Sequence, residues 1–326
     1  MFFRTATAIP AAALIACLAA PAFAAETDAA IAGPVDDAAI LAPDDTVTAG
    51  DAAAPIARAI APVDPKASGA EEPTPAITIS GSATITSDYR FRGVSQSDGG
   101  FAVQGGFTAS HKSGFYVGAW GSNLAGWGTF GGPNLELDLI AGYKFPVGNG
   151  TLDAGLTWYM YPGGASETDF AELYAKLSGT AGPVSLTAGI AYAPPQQALG
   201  HVYATGAGYV LGRPRKPGDK EPNLYLSGDA VYAIADTPVS LKAHIGYSDG
   251  NPGLGPNGTS VAPTGTYFDW LLGADVTPIE HLTFSIAYVD TDITRRGSAY
   301  LLPNFATLGG KSIADATVVF SVTAAF

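Results

Sequence analysis

The chain has 326 residues, enough for one large or two ordinary domains, and only 14% of them are charged, against roughly 25% in an average soluble domain. Its formal net charge of −13 excludes nucleic acid as a partner, because phosphate binding needs clustered Lys and Arg. One Cys and 4 scattered His exclude an internal disulfide framework and argue against a Cys- or His-based metal site.

Residues 1–24 read as an export signal. Arg4 supplies the positive start, Ala6 to Leu18 is a short apolar segment, and Ala22-Phe23-Ala24 is a small-residue cleavage site. Leu14-Ile15-Ala16-Cys17 competes as a lipidation site, but the stretch after Cys17 stays apolar, which favours ordinary cleavage. Residues 25–75 follow as an Ala/Pro/Asp-rich spacer. Ten acids (Glu26, Asp28, Asp36, Asp37, Asp44, Asp45, Asp51, Asp64, Glu71 and Glu72) face two bases, Arg58 and Lys66, and aromatics are absent. Such a segment buries too little apolar surface to offset its ordering entropy, so it is expected to be disordered.

From residue 76 onward the apolar period becomes two. Twelve strands are predicted, at 76–92, 101–111, 115–123, 134–145, 151–161, 169–179, 184–193, 222–234, 239–248, 266–276, 281–290 and 313–326. In the last, Ala314, Ala316, Val318, Phe320, Val322, Ala324 and Phe326 share one face, since successive strand side chains point opposite ways. Leu135, Leu137, Leu139 and Ala141 alternate in the same manner with Glu136, Asp138, Ile140 and Gly142. No apolar run past residue 25 is long enough for a membrane helix, which needs about 20 residues, whereas a tilted membrane strand needs about 9–11. The fold class expected is therefore all-β: a transmembrane up-and-down antiparallel barrel.

The connectors support this. Short ones (112–114, 147–150, 180–183, 235–238, 277–280) alternate with long ones (93–100, 124–133, 162–168, 194–221, 249–265, 291–312). An up-and-down barrel has one rim of tight turns and one of loops; Greek-key sandwiches do not obey that rule. Trp158, Tyr192, Tyr247 and Tyr288 fall at the loop rim, and Tyr143, Tyr232 and Phe326 at the other, where interfacial aromatic girdles belong. Unpaired strand edges are not tolerated in hydrocarbon, so the first and last strands should pair.

The stretch Ser87-Asp88-Tyr89-Arg90-Phe91-Arg92-Gly93-Val94-Ser95-Gln96-Ser97, then Ala102-Val103-Gln104-Gly105-Gly106-Phe107 and Ser113-Gly114-Phe115-Tyr116-Val117-Gly118-Ala119-Trp120-Gly121-Ser122-Asn123, resembles the opening signature of the TorF porin family of proteobacteria. The resemblance is specific over residues 82–123 and does not cover 25–75. It implies an outer-membrane barrel that conducts, without a known solute. Phe326 resembles the terminal aromatic by which the barrel-assembly machinery recognises its clients.

Placing the apolar parity in lipid sends Tyr89 and Phe91 outward and Asp88, Arg90 and Arg92 inward on the first strand. The same parity sends Glu136, Asp138, Asp153, Glu172, Asp229, Asp269, Asp275 and Asp315 inward, against Lys144, Lys176 and Lys242, with His244 among them. These are the pore-lining candidates, either touching solute or bracing the wall as ion pairs. The excess of acid points to weak cation preference. Twelve strands make a narrow bore. The longest loop, 194–221, carries His201, Arg213, Arg215 and Lys216 and reads as an exposed loop, with an inward plug as the alternative.

No G-x-S-x-G or H-E-x-x-H motif occurs, and Gly253–Gly258 lacks a phosphate-loop ending. His244 shares its parity with Ser240 and His281 with Ser285, but lone His residues among small polar neighbours are more often hydrogen-bonders than bases. No enzyme and no cofactor are expected. The expectation is a monomeric outer-membrane channel for small polar solutes. A lumen-filled receptor barrel is its rival, and a hydrolase a distant third.

Overall fold

The computed structural model describes residues 75–125, 133–164, 167–252, 264–294 and 312–326. The expected signal segment, its cleavage site, Cys17 and the acidic spacer lie outside the described residues, as do parts of four long connectors.

Twelve antiparallel strands close into a barrel. In chain order the strands are β1 (Ile77–Thr86), a two-residue pair β2 (Arg90–Phe91) and β3 (Val94–Ser95), then β4 (Ala102–His111), β5 (Phe115–Asn123), β6 (Leu135–Val147), β7 (Gly150–Met160), β8 (Phe170–Ala181), β9 (Val184–Gln196), β10 (Glu221–Ala233), β11 (Val239–Pro252), β12 (Thr264–Ile279), β13 (Leu282–Thr291) and β14 (Thr317–Ala325). Each barrel strand pairs with its chain neighbours, β1 with β4 across the small hairpin. The alternation of side chains places the faces as expected. Ile85, Val103, Phe107, Leu139, Leu173, Ile245, Leu272, Ile286 and Phe320 stand outward, while Thr84, Thr108, Glu136, Thr157, Glu172, Asp275 and Thr323 are buried inside. A closed sheet with an apolar exterior and a polar interior is the arrangement that satisfies every backbone group in hydrocarbon.

The seam closes between first and last strands. β1 and β14 run antiparallel from Ser82 opposite Ala325 to Thr86 opposite Ser321. Gly81 and Phe326 exchange both backbone hydrogen bonds at 2.9 Å, and the Thr84 and Thr323 hydroxyls meet at 2.7 Å inside the seam.

The first strand departs from its predicted range. β1 ends at Thr86, not at residue 92, and the chain turns into the barrel as the hairpin β2–β3. Arg92 and Gly93 form the two-residue turn, at φ +49° and +78°; positive φ at both central residues is the tight hairpin geometry whose twist suits its strands. Glycine is needed at 93 twice over, because a Cβ there would stand 2.8 Å from the Asp269 Cβ and strike Thr291. Tyr89 and Phe91 therefore do not face lipid: they are 1% and 3% exposed and pack inside against Trp120 and Tyr159. On the hairpin path the two rings gain edge-to-face contacts with Trp120 and Tyr159, which acyl chains outside the wall do not offer.

Leu124, Tyr161, Phe170, Ala198 and Leu199 complete this interior cluster, and Val94 packs with Tyr267, Ile293, Ile313 and Ala314 in a second. The last strand likewise begins later than predicted. Ala314 is fully buried inside rather than lipid-facing, and Asp315 lies before the strand. The loop between β9 and β10 holds a 3-10 turn (Gln197–Leu199) and one short helix, α1 (Gly206–Val210). Its Ala198 and Leu199 pack down onto the hairpin's cluster and its Tyr203 and Tyr209 onto that of Val94. Arg213, Arg215 and Lys216 stay exposed. This loop covers the rim, and the inserted plug is the hairpin of the first loop.

Candidate functional site: a charged lumen beneath a hairpin plug

Asp88 and Arg90 brace the hairpin itself. Arg90 Nε donates to Asp88 at 2.6 Å, and Ser95 and Ser97 hydroxyls donate to the same carboxylate at 2.6 and 3.1 Å. Arg90 Nη1 also donates to the backbone carbonyls of Gly93, Ile313 and Asp315 at 2.9, 2.9 and 3.1 Å. The plug is thus tied to the entrance of β14. Both side chains are buried on the plug, not on the wall strand where alternation placed them.

Arg92 crosses the lumen. In the closed ring β8 and β10 lie opposite β1, and Arg92 Nη2 donates to both Glu172 carboxylate oxygens on β8, at 2.7 and 2.8 Å. Its guanidinium lies 4.1 Å over the Tyr225 ring of β10 and 4.8 Å over Phe91. Tyr267 of β12 donates to the Arg92 carbonyl at 3.1 Å. Arg92 and Glu172 are 2% and 3% exposed, so this is a desolvated, charge-assisted pair of the strong kind. Below it lies a small, partly open pocket of about 30 Å³, lined by Arg92, Glu172, Thr157, Tyr159, Tyr174, Lys176, Tyr225 and Ser227 among others.

The remaining wall charges fall into separate groups. Glu136 and Asp138 sit side by side on the inner face of β6, wholly buried; Tyr161 donates to Glu136 at 3.3 Å, and neither Asp138 oxygen has a hydrogen-bond partner among the described residues. His244 bridges three elements, with Nδ1 2.7 Å from Asp229 and Nε2 2.9 Å from the Tyr225 hydroxyl and 3.2 Å from Asp269. Lys242 donates to Asp275 at 2.6 Å and to Ser285 at 3.3 Å. Asp153 accepts from Tyr116 at 2.8 Å and stands in register between Lys144 and Lys176. Most inward charges are therefore held by partners on neighbouring strands. His281 is no part of the lumen: it lies in the turn before β13, at φ +68° and largely exposed, beside Glu280. In the rim loop, burial and the nearby Lys216 lower the pKa of His201.

The inward tyrosines were not singled out from sequence. In one row across four strands, Tyr116, Gly142, Gly155 and Tyr174 are successive partners. The two rings lie over the two glycines and join hydroxyl to hydroxyl. Each is also near a lysine, Lys144 over Tyr116 at 5.3 Å and Lys176 over Tyr174 at 5.7 Å. Inward parity marked all four positions; only the register shows that the glycines make room for the rings. Gly142→Val should destabilise the barrel by about 1–3 kcal/mol through overpacking, because a Cβ there would lie 2.5 Å from the Tyr116 hydroxyl. Gly179→Ala, whose Cβ would meet nothing nearer than 3.9 Å, should be tolerated. Thermal unfolding in detergent reads the contrast.

The fold and its lumen define the class: a closed twelve-stranded antiparallel barrel of the bacterial outer-membrane type. The chain belongs to the family described as "Bacterial protein of unknown function (Gcw_chp)", which it matches over residues 70–326. Comparison with curated proteins finds no match. Among solved structures it is similar to a KdgM porin, at 8% identity and a TM-score of 0.44 over 76% of this chain and 99% of that one. It is also similar to the COG4313 outer membrane channel from Pseudomonas putida F1, at 12% identity and a TM-score of 0.39 over 81% of this chain and 99% of that one. The outer membrane channel DcaP of Acinetobacter baumannii is 12% identical, with a TM-score of 0.35 over 77% of this chain and 97% of that one.

Proposed function

We propose that this protein is an outer-membrane channel for small polar solutes, of the TorF porin kind, held shut at its loop rim by the β2–β3 hairpin. The observation that carries this reading is the division of the lumen. The loop-side part is filled by the hairpin and its aromatic cluster. The wall below it carries charges and hydroxyls held in pairs, Lys242 with Asp275 and Tyr116 with Asp153 among them. A barrel that served only as a scaffold gains nothing from a charged lower wall, since buried ion pairs contribute little stability over apolar packing. The plug's tip meets the far wall through the Arg92–Glu172 pair, and opening the channel requires that this contact and the hairpin's packing give way together. Solutes run down their gradients once it moves, and the acid excess of the lumen gives a weak cation preference. Export follows from residues 1–24, and Phe326 is the handle for barrel assembly.

The test is conductance in planar bilayers. The full chain should be silent or open only briefly. A variant with residues 88–98 replaced by a Gly/Ser linker should conduct steadily, with a reversal potential that favours cations under a salt gradient. A folded, heat-modifiable barrel that stays silent without the hairpin would establish the filled, loop-binding reading instead.

A further inference from the structure

We infer that the outer face of the rim loop between β9 and β10 is a docking surface for the phosphorylated glycolipid of the outer leaflet. The inference rests on the barrel's place in the outer membrane, and on no property of its lumen. The chain holds 16 Lys and Arg in all, and Arg213, Arg215, Lys216 and Lys220 lie within one eight-residue stretch of this loop. All four are exposed. Among the described residues they are the only exposed cations on the loop rim, whose other exposed charges are the acids Glu167, Asp169, Asp249 and Asp292. An acidic chain that gathers its outward positive charge in one place presents a local field for anions.

The backbone fixes this charge in an outer layer. Val202 is buried, and its carbonyl accepts from the Arg215 and Lys216 amides at 2.7 and 3.2 Å. The Arg213 amide donates to the Gly208 carbonyl at 2.8 Å, and the Asp219 carboxylate accepts from the His201 amide at 2.9 Å. The inner part of the loop packs into the mouth through Ala198 and Leu199, and residues 211–220 return over it to β10. Lys216 stands 3.8 Å from Asp219 and 4.0 Å from Glu221, loose exposed contacts of little worth. Arg213, Arg215 and Lys220 have no ion pair among the described residues, so the stretch keeps a positive excess. The lowered pKa of His201, set first by burial and then by Lys216, reports the same field.

Height and an apolar neighbour favour a lipid over a soluble polyanion. Glu221 is opposite Gln196, four residues beyond the outward-facing Tyr192. At the usual strand rise and tilt, Lys220 stands about 12 Å above that interfacial ring, among headgroups and clear of the acyl chains. Leu211 is 62% exposed beside the cations. Cations next to an exposed apolar side chain suit an amphiphile, and the guanidinium fork of Arg213 and Arg215 suits phosphate.

The test uses the full chain purified in detergent. It is titrated with rough lipopolysaccharide, with the same lipid stripped of its phosphates, and with alginate as a soluble carboxylated polymer. EDTA is present throughout, so that divalent cations cannot bridge the acids of the rim to the lipid. Saturable binding of the phosphorylated lipid, weakened by salt and at least ten-fold tighter than that of the other two, is the expected result. One cation near an anionic membrane surface changes affinity about five-fold. The triple variant Arg213→Gln, Arg215→Gln, Lys216→Gln should therefore bind at least twenty-fold more weakly. Lys112→Gln removes an exposed cation from the turn between β4 and β5 on the opposite rim and should change nothing. All these positions are exposed, and heat-modifiable gel migration checks that the barrel forms. Unaltered binding by the folded triple variant, an equal loss in Lys112→Gln, or equal binding of the phosphate-free lipid overturns the inference. So does no binding at all, and alginate held as tightly as lipopolysaccharide would give the loop to a soluble polyanion instead. None of these readouts depends on conductance.

Discussion

Arg92→Ala should convert a closed barrel into one that opens often. The substitution removes one partner of a desolvated pair and leaves Glu172 buried without its cation. Breaking such a pair costs about 3–5 kcal/mol, which at about 1.4 kcal/mol per tenfold shifts the closed-to-open ratio at least a hundredfold. It also removes the guanidinium from the faces of Tyr225 and Phe91, each worth roughly 0.5–2 kcal/mol when desolvated. Single-channel recording should show longer open times, and limited proteolysis should cut near Gly99, which stands at φ +69° with nothing around its Cβ position. Glu172→Gln should act in the same direction and more weakly. The double variant Arg92→Met with Glu172→Gln should recover part of the closure, because neither charge is then stranded. Unchanged open times in the single variants would show that the plug is held by its aromatic packing alone.

Leu272→Arg should prevent stable insertion. Leu272 stands at the middle of β12 on its outer face and is 62% exposed, so in the membrane it touches acyl chains. A cationic side chain at the midplane of a barrel's lipid face costs about 2–4 kcal/mol. Thr187→Arg offers the control. Thr187 points into the lumen from β9, partly open and paired with Ser178 at 3.0 Å, and a cation there changes selectivity more than stability. Folding into lipid vesicles, followed as the heat-modifiable band, reads both. Equal folding yields for the two variants would invert the assignment of faces.

The sequence carried the wall almost completely. Period-two alternation over β4 to β13 set which side chains face lipid, and the short-and-long rhythm of connectors set the rims. Both signals are local, repeated in every strand and enforced by a solvent that forbids unpaired backbone. The lumen was legible as a list of residues but not as pairs. Parity places Lys242, Asp275 and Ser285 inside; only the register of β11, β12 and β13 brings them together. The same holds for Tyr116 of β5 and Tyr174 of β8, which meet over glycines on the two strands between them.

Alternation failed at the first strand, where it continued through Asp88, Tyr89, Arg90, Phe91 and Arg92. Arg90 and Phe91 have strand character in either location, since the hairpin is itself a strand pair. What decides their location lies far away in the chain: the Glu172 carboxylate, the Tyr159 and Tyr225 rings, and the space that Asp269 and Thr291 leave for Gly93. A period says which residues share a face. It holds no information on whether the chain stays in the wall or crosses the ring, because that choice is made by contacts between strands on opposite sides of a closed cylinder.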